Sequence, residues 1–186
     1  IATGATLVII PEHLFSFPVE LMTFVKKNNI NTIFWVPSVL INVANLRGID
    51  GLDLSALKKV LFCGEVMPNK QLNYWRSRLP GAMFANLYGP TETTIASTYY
   101  IVDREFTDSE PLPIGKPCHN SAVIILDEEN KEVSGSEMGE ICIRGSSLAL
   151  GYWKDPEKTK EVFVLNPLNP NYSELIYRTG DIAYYN

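Results

Sequence analysis

The feature that most constrains this chain is a unit that recurs through its first half: an apolar run of strand length, then a proline, then hydrophobics at helical spacing. Residues 5–10 form a β-rich apolar run. Pro18 then opens a stretch through Val19, Leu21, Met22 and Val25 that ends at Asn28 and Asn29. Residues 32–36 are a second apolar strand; Pro37 and Ser38 start a helix through Val39, Leu40, Val43 and Leu46, which Gly48 stops. A third strand, residues 59–63, leads through Gly64 and Glu65 to a helix from Pro68. That helix sets Leu72, Trp75 and Leu79 at i, i+3 and i+7 on one face before Pro80 and Gly81 close it. Residues 82–87 are a fourth strand. Apolar strands without period-two alternation, joined by helices, predict a parallel sheet covered on both faces.

After Ser97 the pattern changes. Short strand signals at residues 98–102, 122–126, 140–144 and 181–185 alternate with Gly, Pro, Asn and Asp turns, and residues 156–163 are the one helical candidate. The expected fold class is therefore α/β: a parallel-sheet α/β subdomain over residues 1–97, then a mainly β, barrel-like subdomain over residues 98–186.

The 16 Lys and Arg against 21 Asp and Glu give a net charge of −5, which argues against a nucleic-acid binder held by phosphate contacts. Cys63, Cys118 and Cys142 lie far apart, without CxxC spacing or an adjacent His, and read as reduced thiols of a cytoplasmic protein. The longest apolar run, residues 5–11, is too short to span a bilayer, and no membrane association is expected. The chain begins without Met inside an apolar run and ends on Tyr184, Tyr185 and Asn186, so it is expected to be a piece of a longer protein.

The turn after the fourth strand reads Asn86, Leu87, Tyr88, Gly89, Pro90, Thr91, Glu92. In open α/β sheets ligands collect at the carboxyl ends of strands. Here Gly89 keeps no side chain between a phosphate and the backbone, and Thr91 can donate to a phosphate oxygen. Glu92 is a hard oxygen ligand suited to Mg²⁺, and Tyr88 offers a flat face to a base. Taken alone, the same residues also read as a strand-to-helix turn in which Gly and Pro are punctuation and Thr91 is a cap. Gly64, after the third strand, could let a flat ring approach the backbone opposite Tyr88. Near the end, Tyr177, Arg178, Thr179, Gly180 and Asp181 place an acidic residue just after a Gly turn, where it can accept both hydroxyls of a ribose.

With these motifs in order, NxYGPTE at residues 86–92, GExxxxG at 139–145 followed by GYW at 151–153, and YRTGD at 177–181, the chain resembles the adenylate-forming (AMP-binding) superfamily. It is most similar to the amino-acid adenylation domains of peptide synthetases and to D-alanine:D-alanyl carrier protein ligases; the run LFCGEVMPN at 61–69 looks particularly like the latter. The resemblance spans essentially the whole chain.

It implies ATP and Mg²⁺ as cofactors. Tyr88 would stack on adenine with Gly64 and Glu65 on its other side, Asn86 would meet the amino edge, and Gly89 would approach the nucleotide. Thr91 would contact the α-phosphate, Glu92 would hold Mg²⁺, and Asp181 would bind the ribose. The acyl pocket would be lined by Trp35, Leu61, Cys63, Leu87, Ile95 and Ala96. The implied reaction adenylates an amino acid, with D-alanine the leading candidate, and passes it to a carrier-protein phosphopantetheine thiol. The rival readings are an acyl-CoA synthetase acting on a fatty or aryl acid, and a non-catalytic nucleotide-binding module. By the same resemblance the family's phosphate loop, amino-group anchor, hinge Arg and catalytic Lys lie outside these residues, so the chain by itself is expected to be inactive.

Remaining residues read more plainly. Cys63 is a packed small hydrophobe, His13 and His119 are loop histidines, and Tyr74, Trp75, Tyr152, Trp153, Tyr184 and Tyr185 are core or rim aromatics. Residues 127–131 are expected to be a solvated hairpin turn.

Overall fold

A computed structural model of the protein describes residues 4–186, in two compact units. Unit 1 comprises residues 4–87 and 100–114; unit 2 comprises residues 88–99 and 115–186.

In unit 1, β1 (Thr32–Trp35), β2 (Lys59–Cys63) and β3 (Met83–Tyr88) lie side by side and parallel. Helices α1 (Pro18–Lys27), α2 (Pro37–Asn45) and α3 (Asn69–Arg78) connect and precede them. The register sets Ile33, Val60 and Phe84 abreast, all nearly inaccessible, on the face that forms the core. Leu21, Met22, Val25, Leu40, Val43, Leu72 and Trp75 pack into the same core. Trp75 also donates its indole N–H to the Leu40 carbonyl at 2.9 Å, so the polar end of this buried ring is satisfied while α3 is tied to α2.

The helix starts follow the prolines as expected: Pro18 and Pro37 stand at the first helical turn, where the missing N–H costs nothing. The stop of α2 has a different cause from the one the sequence implies. Arg47 takes the left-handed conformation (φ 52°), and Gly48 is needed because a Cβ there would meet Pro18 at 3.0 Å. No strand forms over residues 5–10. Leu7 and Ile9 are 68% and 81% exposed, and among the described residues no strand pairs with this run. A run of high β propensity becomes a strand only where a neighbouring edge accepts its backbone groups.

Unit 2 is mainly β. After a short antiparallel pairing of β4 (Thr98–Ile101) with β5 (Lys116–Pro117), four antiparallel strands form a sheet in the order β6 (Ser121–Leu126), β7 (Gly139–Gly145), β9 (Leu175–Ala183), β8 (Phe163–Leu165). The sheet is open, with β6 and β8 at its edges. Ile124, Leu126, Cys142 and Ile176 form its buried cluster. Residues 127–131 make the expected turn: the Asp127 carboxylate accepts from the Glu129 and Lys131 amides, each at 2.8 Å, and Asn130 is left-handed (φ 62°). The helix α4 (Pro156–Val162) begins at Asp155, whose carboxylate accepts from the Lys158 amide. The last strand starts earlier than its aromatic tail implied, at Leu175, and ends before Tyr184 and Tyr185. No helix among the described residues is long and apolar enough to cross a membrane.

Candidate functional site

The NxYGPTE turn folds tightly within unit 2. The Ser97 amide donates to the Tyr88 carbonyl at 2.8 Å, closing a loop around Gly89. A Cβ at Gly89 would lie 2.6 Å from the Ser97 nitrogen and 2.8 Å from the Ile95 oxygen, so only glycine fits this close backbone approach. Inside the loop, the fully buried Thr93 and Ser97 hydroxyls share a 2.7 Å hydrogen bond. Thr94 and Ile95 are both left-handed (φ 62° and 74°), an unusual state for β-branched residues. Strain of this kind, of order 1–3 kcal/mol per residue, persists where surrounding bonds over-determine the backbone, and it clusters at ligand clamps. The bonds are present: Thr94 Oγ1 donates to the Ser147 carbonyl at 2.8 Å, and the Ala149 amide donates to the Glu92 carbonyl at 2.7 Å.

Asp181 owes its position to a β-bulge. Cys142 pairs with Arg178 and Glu140 with Ile182, so Ile141 of β7 alone faces Thr179, Gly180 and Asp181 of β9. These three residues are pushed out of the ladder and held from below. Thr179 Oγ1 donates to the Ile141 carbonyl (2.8 Å), the Gly180 amide donates to Glu140 Oε1 (2.9 Å), and Arg178 pairs with Glu140 Oε2. Bulges re-aim side chains in this way. The exposed Asp181 carboxylate accepts the Tyr88 hydroxyl at 2.6 Å. Burial, and then this bond to a carboxylate, push the Tyr88 phenol well above the usual tyrosine range, so it remains a donor.

Glu92 is half-buried, and its Oε1 accepts the Tyr152 hydroxyl at 2.5 Å; the Tyr177 hydroxyl lies 3.5 Å from that of Tyr152. The Tyr152 hydroxyl, with a smaller contribution from the Lys158 charge, holds the Glu92 carboxyl below the usual carboxylate range. Burial foremost, followed by the bond to Tyr152, raises Tyr177 far above the ordinary phenol. Glu92 is thus a dependable anion. Among the described residues no group of three or more His, Cys, Asp or Glu could hold a metal by itself. A single carboxylate fits Mg²⁺, which keeps several waters and binds through one or two carboxylates plus substrate phosphates.

The structure therefore brings together Tyr88, Gly89, Thr91, Glu92, Ile95, Ala96 and Asp181 in unit 2. The remaining candidates lie in unit 1. Leu61, Cys63 and Leu87 share one face of the sheet, Cys63 and Leu87 as register partners, while Trp35 falls on the core face beside Phe62, its ring edge-on to Phe15 at 6.0 Å. Asn86 also lies on that core face, its amide nitrogen donating to the Pro113 carbonyl at 2.9 Å. Gly64 follows β2 with φ 97°, a left-handed turn that glycine tolerates. Glu65 does something the sequence did not announce. Its carboxylate accepts the Ser38 amide at 2.8 Å and the Ser38 hydroxyl at 3.3 Å, capping the first turn of α2 from another loop.

Tyr152, Glu140 and the Thr93–Ser97 pair were likewise missed as site residues. Tyr152 and Glu140 sit inside the GYW and GExxxxG motifs, and that signal could have found them. The hydroxyl pair has no sequence signature.

With the geometry in hand, residues 1–153 match the family described as AMP-binding enzyme. The chain belongs to that family. Relatives include tyrocidine synthase 2 of Brevibacillus parabrevis, 34% identical over 98% of this chain and 5% of that protein, and gramicidin S synthase 1 of Brevibacillus brevis, 34% identical over 97% and 15%. The crystal structure of CmiS6 superposes with a TM-score of 0.90 at 34% identity, covering all of this chain and 45% of that one. PA1221, a nonribosomal peptide synthetase protein containing adenylation and PCP domains, gives 0.79 at 28% identity over 92% and 34%. The AMP-binding chain described here thus spans less than half the length of these relatives.

Proposed function

We propose that this chain supplies the nucleotide- and acyl-binding portion of an ATP-dependent ligase. The ligase adenylates an amino acid, D-alanine being the first to test, and passes it to the phosphopantetheine thiol of a carrier protein. The observation that carries the reading is the meeting of separate motifs: Tyr88 of NxYGPTE bonds to Asp181 of YRTGD, and Glu92 bonds to Tyr152 of GYW. The similarity to peptide synthases and to an adenylation–PCP protein supports the same reading.

In this reading Tyr88 presents its ring to adenine. Asn86 spends its nitrogen on Pro113, which leaves its amide oxygen as the end able to accept from a base amino group. Asp181 keeps one carboxylate oxygen on Tyr88 and offers the other to the ribose hydroxyls. Thr91, exposed at the loop, donates to the α-phosphate, and Glu92 is the residue that would hold Mg²⁺. Leu61, Cys63 and Leu87, sharing one face of the sheet, supply an apolar wall to the acyl pocket, and this set favours a small or apolar side chain. The substrate carboxylate attacks the α-phosphorus of ATP and pyrophosphate departs. Both reactants are anions, and the bound cation would supply charge neutralisation. The protein's own contribution is positioning by the strained, hydroxyl-braced loop, with no protein nucleophile required. The need for ATP and the three cysteine thiols support a cytoplasmic location.

Amino-acid-dependent ATP–pyrophosphate exchange by the full-length protein tests the proposal. Exchange with D-alanine or another amino acid is expected. Exchange only with fatty or aryl acids would replace the reading by an acyl-CoA synthetase, and none with any carboxylate, despite nucleotide binding, by a non-catalytic module.

A further inference from the structure

Tyr152 is held more firmly than a rim aromatic needs. Its amide donates to Thr159 Oγ1 at 2.9 Å, and its backbone bridges to Asp155. Gly151, the residue before it, packs so closely on Thr159 that a Cβ would come within 2.5 Å of Thr159 Cγ2. The ring stands edge-on to Phe163 at 6.1 Å, and the Lys158 ammonium lies 5.3 Å from its centroid on α4. Every one of these contacts fixes the direction of the phenol, which ends on Glu92 Oε1 at 2.5 Å, the length of a charge-assisted bond. Glu92 is meanwhile fixed at its backbone by the Ala149 amide, contributed by the same segment.

We propose that Tyr152 is a positioning residue: its hydroxyl locks the Glu92 carboxylate into one orientation, so that the remaining oxygen meets a divalent cation shared with the nucleotide phosphates. The inference rests on the reading of Glu92 as the magnesium carboxylate and deepens it. Groups that hold a metal ligand from behind typically contribute about 10–100-fold to metal affinity. Without the hydroxyl, only the weaker holds of Tyr177 and Lys158 on the Glu92 carboxylate remain, and more of its ordering falls on cation binding.

The test uses the full-length protein with Mn²⁺ as the probe. Affinity for Mn²⁺–ATP is followed by water-proton relaxation, and affinity for ATP in excess EDTA by calorimetry. Y152F keeps the ring and its packing and removes only the hydroxyl. It is expected to weaken Mn²⁺–ATP binding about tenfold while leaving ATP in EDTA unchanged. T159V removes the hydroxyl that accepts from the Tyr152 amide and donates to the Asp155 carbonyl but leaves the phenol, and is expected to show the same selective loss at about twofold; it carries the test if Y152F fails to fold. Equal weakening of both ligands would reduce Tyr152 to a structural role, and unchanged Mn²⁺–ATP binding in both variants would remove it from the site. Either result overturns the inference while leaving the nucleotide site in place. A wild-type protein that binds ATP no better with Mn²⁺ than in EDTA would overturn the reading of Glu92 itself, and the inference with it.

Discussion

Gly89→Ala isolates the close backbone approach on which the NxYGPTE loop depends. The added methyl would sit 2.6 Å from the Ser97 nitrogen, 2.8 Å from the Ile95 oxygen and 3.0 Å from the Ala96 Cα. All three are main-chain atoms, so no side-chain rotation relieves the contact. Relief requires opening the loop, and the Ser97 N–H···O=C Tyr88 bond of 2.8 Å spans the place where it would open. Losing that bond costs about 0.5–1.5 kcal/mol and the overpacking about 1–3, so a loss of about 1.5–4.5 kcal/mol is expected. For a domain of this size that corresponds to a fall in Tm of about 3–18 °C. Gly81→Ala is the matched control, because a Cβ there meets nothing within 4 Å. It should be neutral or stabilising by up to about 1 kcal/mol. Thermal unfolding of wild type and both variants reads the difference. A Gly89→Ala protein melting within about 2 °C of wild type would show that the loop opens without cost, and the argument from close approach would fail.

Three further outcomes follow from particular contacts. Thr93→Val leaves the buried Ser97 hydroxyl without its partner and should cost about 1–3 kcal/mol in denaturant unfolding, whereas Ser121→Ala, at a long 3.4 Å contact, should change little. Glu65→Ala removes the carboxylate that caps α2 and should cost about 0.5–2 kcal/mol, with Glu65→Gln in between; equal stability of all three proteins would deny the cap. Burial pushes the Cys142 thiol up to about 11, so it stays protonated in the folded state after unfolded chains have ionised. Its contribution is complete below about pH 9 and lost as pH rises towards 11, and wild-type stability should fall across that window more steeply than that of Cys142→Ala. Parallel curves for the two proteins would refute this.

How much was legible beforehand depended on whether the signal was local. Helix starts at Pro18 and Pro37 and the apolar faces of α1 to α3 follow from spacing and proline chemistry, and the structure carries them. The run at residues 5–10 looked like its neighbours but became no strand, because strand formation is decided by a partner edge that the run itself does not encode. The motifs announced the candidate site, yet not how it is held. A bulge that turns Asp181 outward, a carboxylate from one loop capping the helix of another, and two hydroxyls meeting inside a turn are all products of register and packing. Trp35 shows the same limit. It stands next to apolar strand residues in sequence, and strand alternation sends it to the face opposite Leu61 and Cys63.

The central claim is that Tyr88 and Asp181, joined by a 2.6 Å hydrogen bond, grip an adenosine. The most direct measurement is a calorimetric cycle on the full-length protein, titrating ATP and 2′,3′-dideoxy-ATP into wild type and Asp181→Ala. Losing a hydrogen bond to a charged group is worth about 1.5–3 kcal/mol, so ATP should bind Asp181→Ala at least about tenfold more weakly than wild type. The dideoxy nucleotide should bind both proteins with the same low affinity. Asp181→Ala binding ATP as tightly as wild type would contradict the account.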